Sequence, residues 1–80
     1  MNKRYYLGGS YPDVYFTQRE VECAMYLLKH STINEVADIL SLSPRTIEFY
    51  VNRMKAKLEC KKLRDLLIKI RESNFAKFLN

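Results

Sequence analysis

Ser43-Pro44-Arg45-Thr46-Ile47-Glu48-Phe49-Tyr50-Val51-Asn52-Arg53-Met54-Lys55-Ala56-Lys57-Leu58 decides how this chain is read. Ser43 is a strong N-cap residue, and Pro44 suits the first helical position, where a missing N–H costs nothing. Ile47, Val51, Met54 and Leu58 recur at i, i+4, i+7 and i+11, one apolar stripe along a helix. The opposite face carries Arg45, Glu48, Phe49, Asn52, Arg53, Ala56 and Lys57. A helix that enters a DNA major groove needs that mixture: polar groups for base edges, an apolar group for a thymine methyl and cations for phosphates. A basic surface helix shares much of the pattern, and the segments on either side separate the two readings.

Upstream, Thr17 and Glu20 form a T-x-x-E capping box, as do Thr32 and Glu35. The first predicts a helix from about Gln18 to Lys29 or His30, with Val21, Ala24, Met25 and Leu28 inward and Leu27 alongside. The second predicts a short helix over about Ile33 to Leu40, with Ile33, Val36, Ala37 and Leu40 inward. Ser41-Leu42 then turns the chain into Ser43. Two helices joined by a few residues, the second with a mixed polar face, read as a helix-turn-helix. The crossing helix begins at Thr32 and Asn34, which are placed to meet phosphate oxygens because helix N-termini favour anions.

Thr17-Gln18-Arg19-Glu20-Val21-Glu22, Glu35-Val36-Ala37-Asp38-Ile39-Leu40, Leu42-Ser43-Pro44-Arg45-Thr46-Ile47-Glu48 and Lys57-Leu58 together resemble the LuxR-type (GerE/FixJ/NarL) DNA-binding domain, over about Phe16 to Ile70. The resemblance implies an all-α, four-helix domain with a central helix-turn-helix. It implies binding to double-stranded DNA as a transcriptional regulator, and a homodimer formed through the fourth helix on roughly palindromic sites. It puts base reading at Glu48, Phe49 and Asn52. Physical reasoning agrees: Glu accepts from cytosine N4, Asn pairs with adenine, and Phe touches a thymine methyl. Glu48 has an alternative, an ion pair with Arg45 three residues back; Arg53, five residues on, is off the helical spacing. Ser43, Arg45, Thr46, Tyr50, Arg53 and Lys57 join Thr32 and Asn34 as the expected phosphate contacts.

The departures from the family pattern are specific. Family members usually have Gly where His30 stands and often Gly at Ser41, so these turns are expected to form without a free left-handed glycine. Tyr50 replaces a common His, and Leu63 an Arg, with Arg64 beside it. Glu48 and Asn52 stand where many members carry Lys, so base preference should differ.

The ends are less regular. Arg4-Tyr5-Tyr6-Leu7 and Val14-Tyr15-Phe16 have strand-type residues around the turn-rich Gly8-Gly9-Ser10-Tyr11-Pro12-Asp13, which predicts a short hairpin. It would be an arm along DNA, a linker stub or a cover over the helices. The domain reading is therefore an arm over 1–16, the helix-turn-helix domain over 17–72 and a tail or helix extension over 73–80. A fourth helix is expected from about Lys61, with Leu63, Leu66, Leu67 and Ile70 as its core stripe. If it continues, Ile68, Phe75 and Leu79 form a second stripe, the expected dimer interface. Ser73-Asn74 could instead stop the helix and fold Phe75 and Phe78 onto the core.

Composition bounds the rest. Eighty residues make one domain, with 48% hydrophobic and 29% charged residues. Residues 1–42 hold four basic and five acidic side chains, a net of −1; residues 43–80 hold ten and four, a net of +6. The positive charge thus follows the proposed reading helix, a footprint for a polyanion. No apolar run reaches the ~20 residues of a membrane span and no signal peptide is evident, so a cytoplasmic protein with no membrane partner is expected. Cys23, Cys60 and the lone His30 lack the spacing of a metal site. No cofactor, small-molecule ligand or enzyme activity is expected: no nucleophile has a base beside it, and no glycine-rich phosphate loop is present. RNA polymerase would be a further partner of such a regulator. Two rival readings are a sigma region-4-like module, which also carries an L-S-x-x-T-[VI] helix, and a protein-interaction module whose basic helix meets an acidic partner.

Overall fold

Local signals place the first three helices. The computed structural model describes residues 3–73 and residue 75. A hairpin of β1 (Tyr5–Gly8) and β2 (Tyr11–Phe16) precedes α1 (Gln18–Leu28), α2 (Ile33–Leu40), α3 (Pro44–Lys57) and α4 (Leu63–Glu72). Both threonine capping boxes form. The Thr17 N–H donates to Glu20 Oε1 at 2.8 Å and the Thr32 N–H to Glu35 Oε1 at 2.7 Å, while each threonine hydroxyl accepts from the N3 amide. The Thr32 N–H, helped by its hydroxyl, holds the Glu35 carboxyl below the usual carboxylate range. At the start of α3 the Ser43 Oγ accepts from the Thr46 N–H at 3.1 Å, with Pro44 at the first helical position.

The hairpin is antiparallel and pairs Tyr5 with Phe16, Tyr6 with Tyr15 and Gly8 with Tyr11. Its second strand starts three residues earlier than Val14, and its turn uses positive φ at Gly8 and Gly9, which glycine adopts without steric cost. Two strands alone are marginal in water. These are held because Leu7 and Phe16 are fully buried against the helices, and the Phe16 ring meets Phe75 edge-on, with centroids 5.5 Å apart. The hairpin therefore acts as a cover that supplies part of the core.

α2 and α3 pack across the Ser41–Ser43 turn, α1 packs on both, and α4 closes against α3 and α1. The α1 core stripe is rotated from the expected one. Glu20, Cys23, Ala24 and Leu27 are buried, whereas Val21, Met25 and Leu28 are half-buried. A carboxylate on the inner face is tolerated because Lys57 neutralises it. α4 begins two residues later than expected, at Leu63, and buries Leu66 and Ile70. It ends where Ser73 leaves helical geometry: the Ser73 Oγ donates to the Ile70 carbonyl at 2.6 Å and accepts from the Phe75 N–H at 3.2 Å. Phe75, expected on a dimer-forming stripe, is thereby turned into the core and is only 2% exposed. Leu79 and Phe78 lie outside the described residues. Among the described residues no helix is long and apolar enough to cross a membrane.

Three helices end in the same way. His30, Ser41 and Glu59 take left-handed conformations with φ of 69°, 57° and 53°. The next residue then donates back across the last turn, from Ser31 to Tyr26, from Leu42 to Ala37 and from Cys60 to Lys55, at 3.2, 2.9 and 3.0 Å. This is a closing motif that favours Gly. The turns at His30 and Ser41, expected to form without a glycine, do so in the left-handed conformation, and these non-glycine residues carry its strain. His30→Gly and Ser41→Gly should each stabilise the domain by about 1 kcal/mol and raise its melting midpoint by roughly 4 °C or more, additively because the turns are separate. Unchanged melting in both single variants would show that these turns store no strain.

Candidate nucleic-acid interface

The buried stripe of α3, Ile47, Val51 and Met54, fixes which of its side chains face out. Arg45, Glu48, Phe49 and Asn52 line one shallow depression on the outer face. The three expected base readers are therefore side by side, with a cation at the edge. Phe49 is 55% exposed, an unusual place for a phenyl ring on a small domain. The Arg53 guanidinium lies over that ring at 5.6 Å and the Tyr50 ring meets it edge-on at 5.8 Å, so its direction is fixed from two sides. The alternative pairing of Glu48 is not made. Among the described residues neither Arg45 nor Arg53 comes within ion-pair distance of it. Its carboxylate remains an unspent acceptor on the outer face.

The expected phosphate contacts divide into groups. Ser43 and Thr46 hydroxyls are 2.9 Å apart and already serve the start of α3, so each keeps only part of its hydrogen-bonding capacity. Thr32 and Asn34 are exposed at the start of α2 and do not line the Phe49 depression. The capping box there uses the amides of Thr32 and Glu35, leaving those of Ile33 and Asn34 without an intrahelical acceptor. Tyr50 is half-buried at the side of α3 that faces the hairpin. Ile68 is 42% exposed on α4, apart from this face.

Lys57 is the correction. Its ammonium donates to Glu20 Oε1 at 2.7 Å and to the Tyr15 carbonyl at 2.9 Å, and lies over the Tyr15 ring at 4.9 Å. A cation so engaged is the internal counter-charge of Glu20, whose side chain is fully buried, and not a free phosphate contact. Arg53 approaches the other oxygen, Glu20 Oε2, at 3.5 Å from outside, with about half of its own side chain exposed. Among the described residues no hydrogen bond reaches that oxygen. Glu20 was legible only as a capping residue, although its spacing to Cys23, Ala24 and Leu27 (i+3, i+4 and i+7) would have put it on the inner face.

Burial, aided by Glu22, pushes the Cys23 thiol up to about 11, so it is protonated and unreactive at neutral pH. Among the described residues no three His, Cys, Asp or Glu side chains converge.

A short α2, a tight turn at Ser41–Ser43 and a capped α3, packed with α1 and α4, form a four-helix fold with a central helix-turn-helix. The family model described as bacterial regulatory proteins, luxR family (GerE), matches residues 14–70, and the chain belongs to that family. It is a DNA-binding domain of the transcription-regulator kind. Comparisons with curated proteins and with solved structures gave no match.

Proposed function

We propose that the chain binds duplex DNA sequence-selectively and regulates transcription by occupying or recruiting at promoters, with residues 17–72 as the reading unit and α3 in the major groove. The observation that carries this reading is the shared depression of Arg45, Glu48, Phe49 and Asn52. It combines an acceptor, an amide, an apolar ring and a cation on one exposed helix face, as base-edge recognition requires. Arg45 and Arg53 supply charge to phosphates, with Thr32, Asn34, Ser43, Thr46 and Tyr50 as neutral contacts; most of the affinity is electrostatic and falls steeply with salt. Two copies related by a two-fold axis through the exposed Ile68 side of α4 would set their reading helices about one DNA turn apart.

Selection of duplexes from a random pool tests the reading, followed by titration of the winner and a scrambled duplex at two salt concentrations. The expected result is a roughly palindromic winner that binds ~10³-fold more tightly than the scramble. Ile68→Lys should bind single half-sites as before but lose the gain from the palindrome. Equal binding of winner and scramble would reduce the basic face to an electrostatic patch.

A further inference from the structure

The hairpin builds a second basic surface that the reading helix alone does not use. Lys3, Arg4 and Arg19 line a cleft of about 500 Å³ with Tyr15, Gln18 and Tyr50. Among the described residues Lys3 and Arg4 have no carboxylate within ion-pair distance. Arg19 has Glu22 at 3.1 Å, an exposed i,i+3 pair of small worth. Three cations around one cleft with a single weakly held counter-charge repel each other and favour an anion between them.

The position of Tyr50 indicates which anion. It lines the cleft from α3, and its ring also meets Phe49, at the edge of the reading face. A polyanion that follows the reading face past Tyr50 therefore enters the cleft. The hairpin is also preset. Leu7 and Phe16 are fully buried, the Tyr5 hydroxyl donates to Gln18 Oε1 at 2.6 Å, and Lys57 donates to the Tyr15 carbonyl. Arg4 stacks on the Tyr15 ring at 4.9 Å, which orients its guanidinium before any ligand arrives. A preset cationic surface loses little entropy on binding. Lys3 and Arg4 precede the stretch matched by the family, so these two cations add to a cleft whose other walls belong to it.

We propose that the N-terminal hairpin is a wing whose Lys3 and Arg4, with Arg19 of α1, grip the sugar-phosphate backbone flanking the base pairs read by α3. The inference rests on the duplex-binding reading above and extends the footprint outward without adding base preference.

The test uses the selected site in two lengths, with about ten flanking base pairs and trimmed to the read segment. Lys3→Gln combined with Arg4→Gln should bind the flanked duplex about 10-fold more weakly than the unaltered protein, with a shallower salt slope and unchanged base preference. On the trimmed duplex the two proteins should bind alike. Lys61→Gln combined with Lys62→Gln removes the same charge beside Ile68 and, compared on flanked and trimmed single half-sites where dimerisation plays no part, should leave the flank effect intact. Equal binding of the Lys3/Arg4 variant and the unaltered protein to the flanked duplex would overturn the wing. So would an equal loss in the Lys61/Lys62 variant, since net charge alone would then explain it. If the double variant melts early, Lys3→Gln alone decides, because Lys3 makes no cation–π contact among the described residues. An unaltered protein that binds winner and scramble alike sinks the DNA reading itself, and the wing with it.

Discussion

Lys57→Met should lower the melting midpoint by about 12 °C or more, the largest stability effect expected of any single substitution outside the apolar core. Glu20 is fully buried on the inner face of α1, and its Oε1 accepts from the Thr17 N–H and from the Lys57 ammonium. Methionine keeps the length of the lysine stem and removes the charge. The carboxylate is then left in the interior with one amide and the distant edge of Arg53, 3.5 Å from an oxygen that has no hydrogen bond. Removing one partner of a buried pair costs about 3–5 kcal/mol, because the remaining charge is desolvated without compensation. A domain of this size holds only about 4–12 kcal/mol in total. Glu20→Gln should be milder, since a lysine that is about a quarter exposed can turn its ammonium to water. The double variant should be more stable than Lys57→Met alone, with a coupling of about 1 kcal/mol or more in the thermal cycle. An additive cycle, or a Lys57→Met midpoint within about 3 °C of the unaltered protein, would show that the pair has no structural role.

This pair marks the limit of what the sequence discloses. Helix starts are local: Thr17 with Glu20, Thr32 with Glu35, and Ser43 with Thr46 lie within one turn of each other, and all three caps form where their spacing places them. The apolar stripe of α3 is local too, and it fixes Glu48, Phe49 and Asn52 outward. The Lys57–Glu20 bond joins residues 37 apart. Each has a sufficient local explanation, Glu20 as a capping residue and Lys57 as part of a basic helix end, so nothing in the spacing announces their meeting. Phe75 is similar. The spacing leaves two readings, helical continuation carrying it outward or a stop at Ser73-Asn74 folding it inward. The second holds for Phe75 because the Ser73 hydroxyl ends α4 and Phe16 receives the ring across the core. The left-handed turns at His30 and Ser41 show the converse, a conformation imposed by helix packing on residues that do not favour it.

Asn52→Ala and Arg45→Ala should weaken DNA binding in different ways, although both residues line the same depression. An Asn bidentate to adenine discriminates by about 1–3 kcal/mol, so Asn52→Ala should lose about 5- to 150-fold on the selected duplex. The loss should be confined to sequences carrying the favoured base, with a flattened preference at one base pair per half-site and an unchanged salt slope. Arg45 stands in the first turn of α3, where a backbone phosphate would meet it. Arg45→Ala should lower affinity for winner and scramble by similar factors and reduce the salt slope by about 1 per protomer. Glu48→Ala should follow the asparagine pattern, since no cation among the described residues occupies its carboxylate. Three variants titrated on two duplexes at two salt concentrations separate these cases. A uniform loss in Asn52→Ala would make it a backbone contact, and a flattened base preference in Arg45→Ala would make the arginine a base reader. Either result would revise the site while leaving the fold that presents it intact, because all three side chains project from a helix whose inner face, Ile47, Val51 and Met54, is fixed by the core.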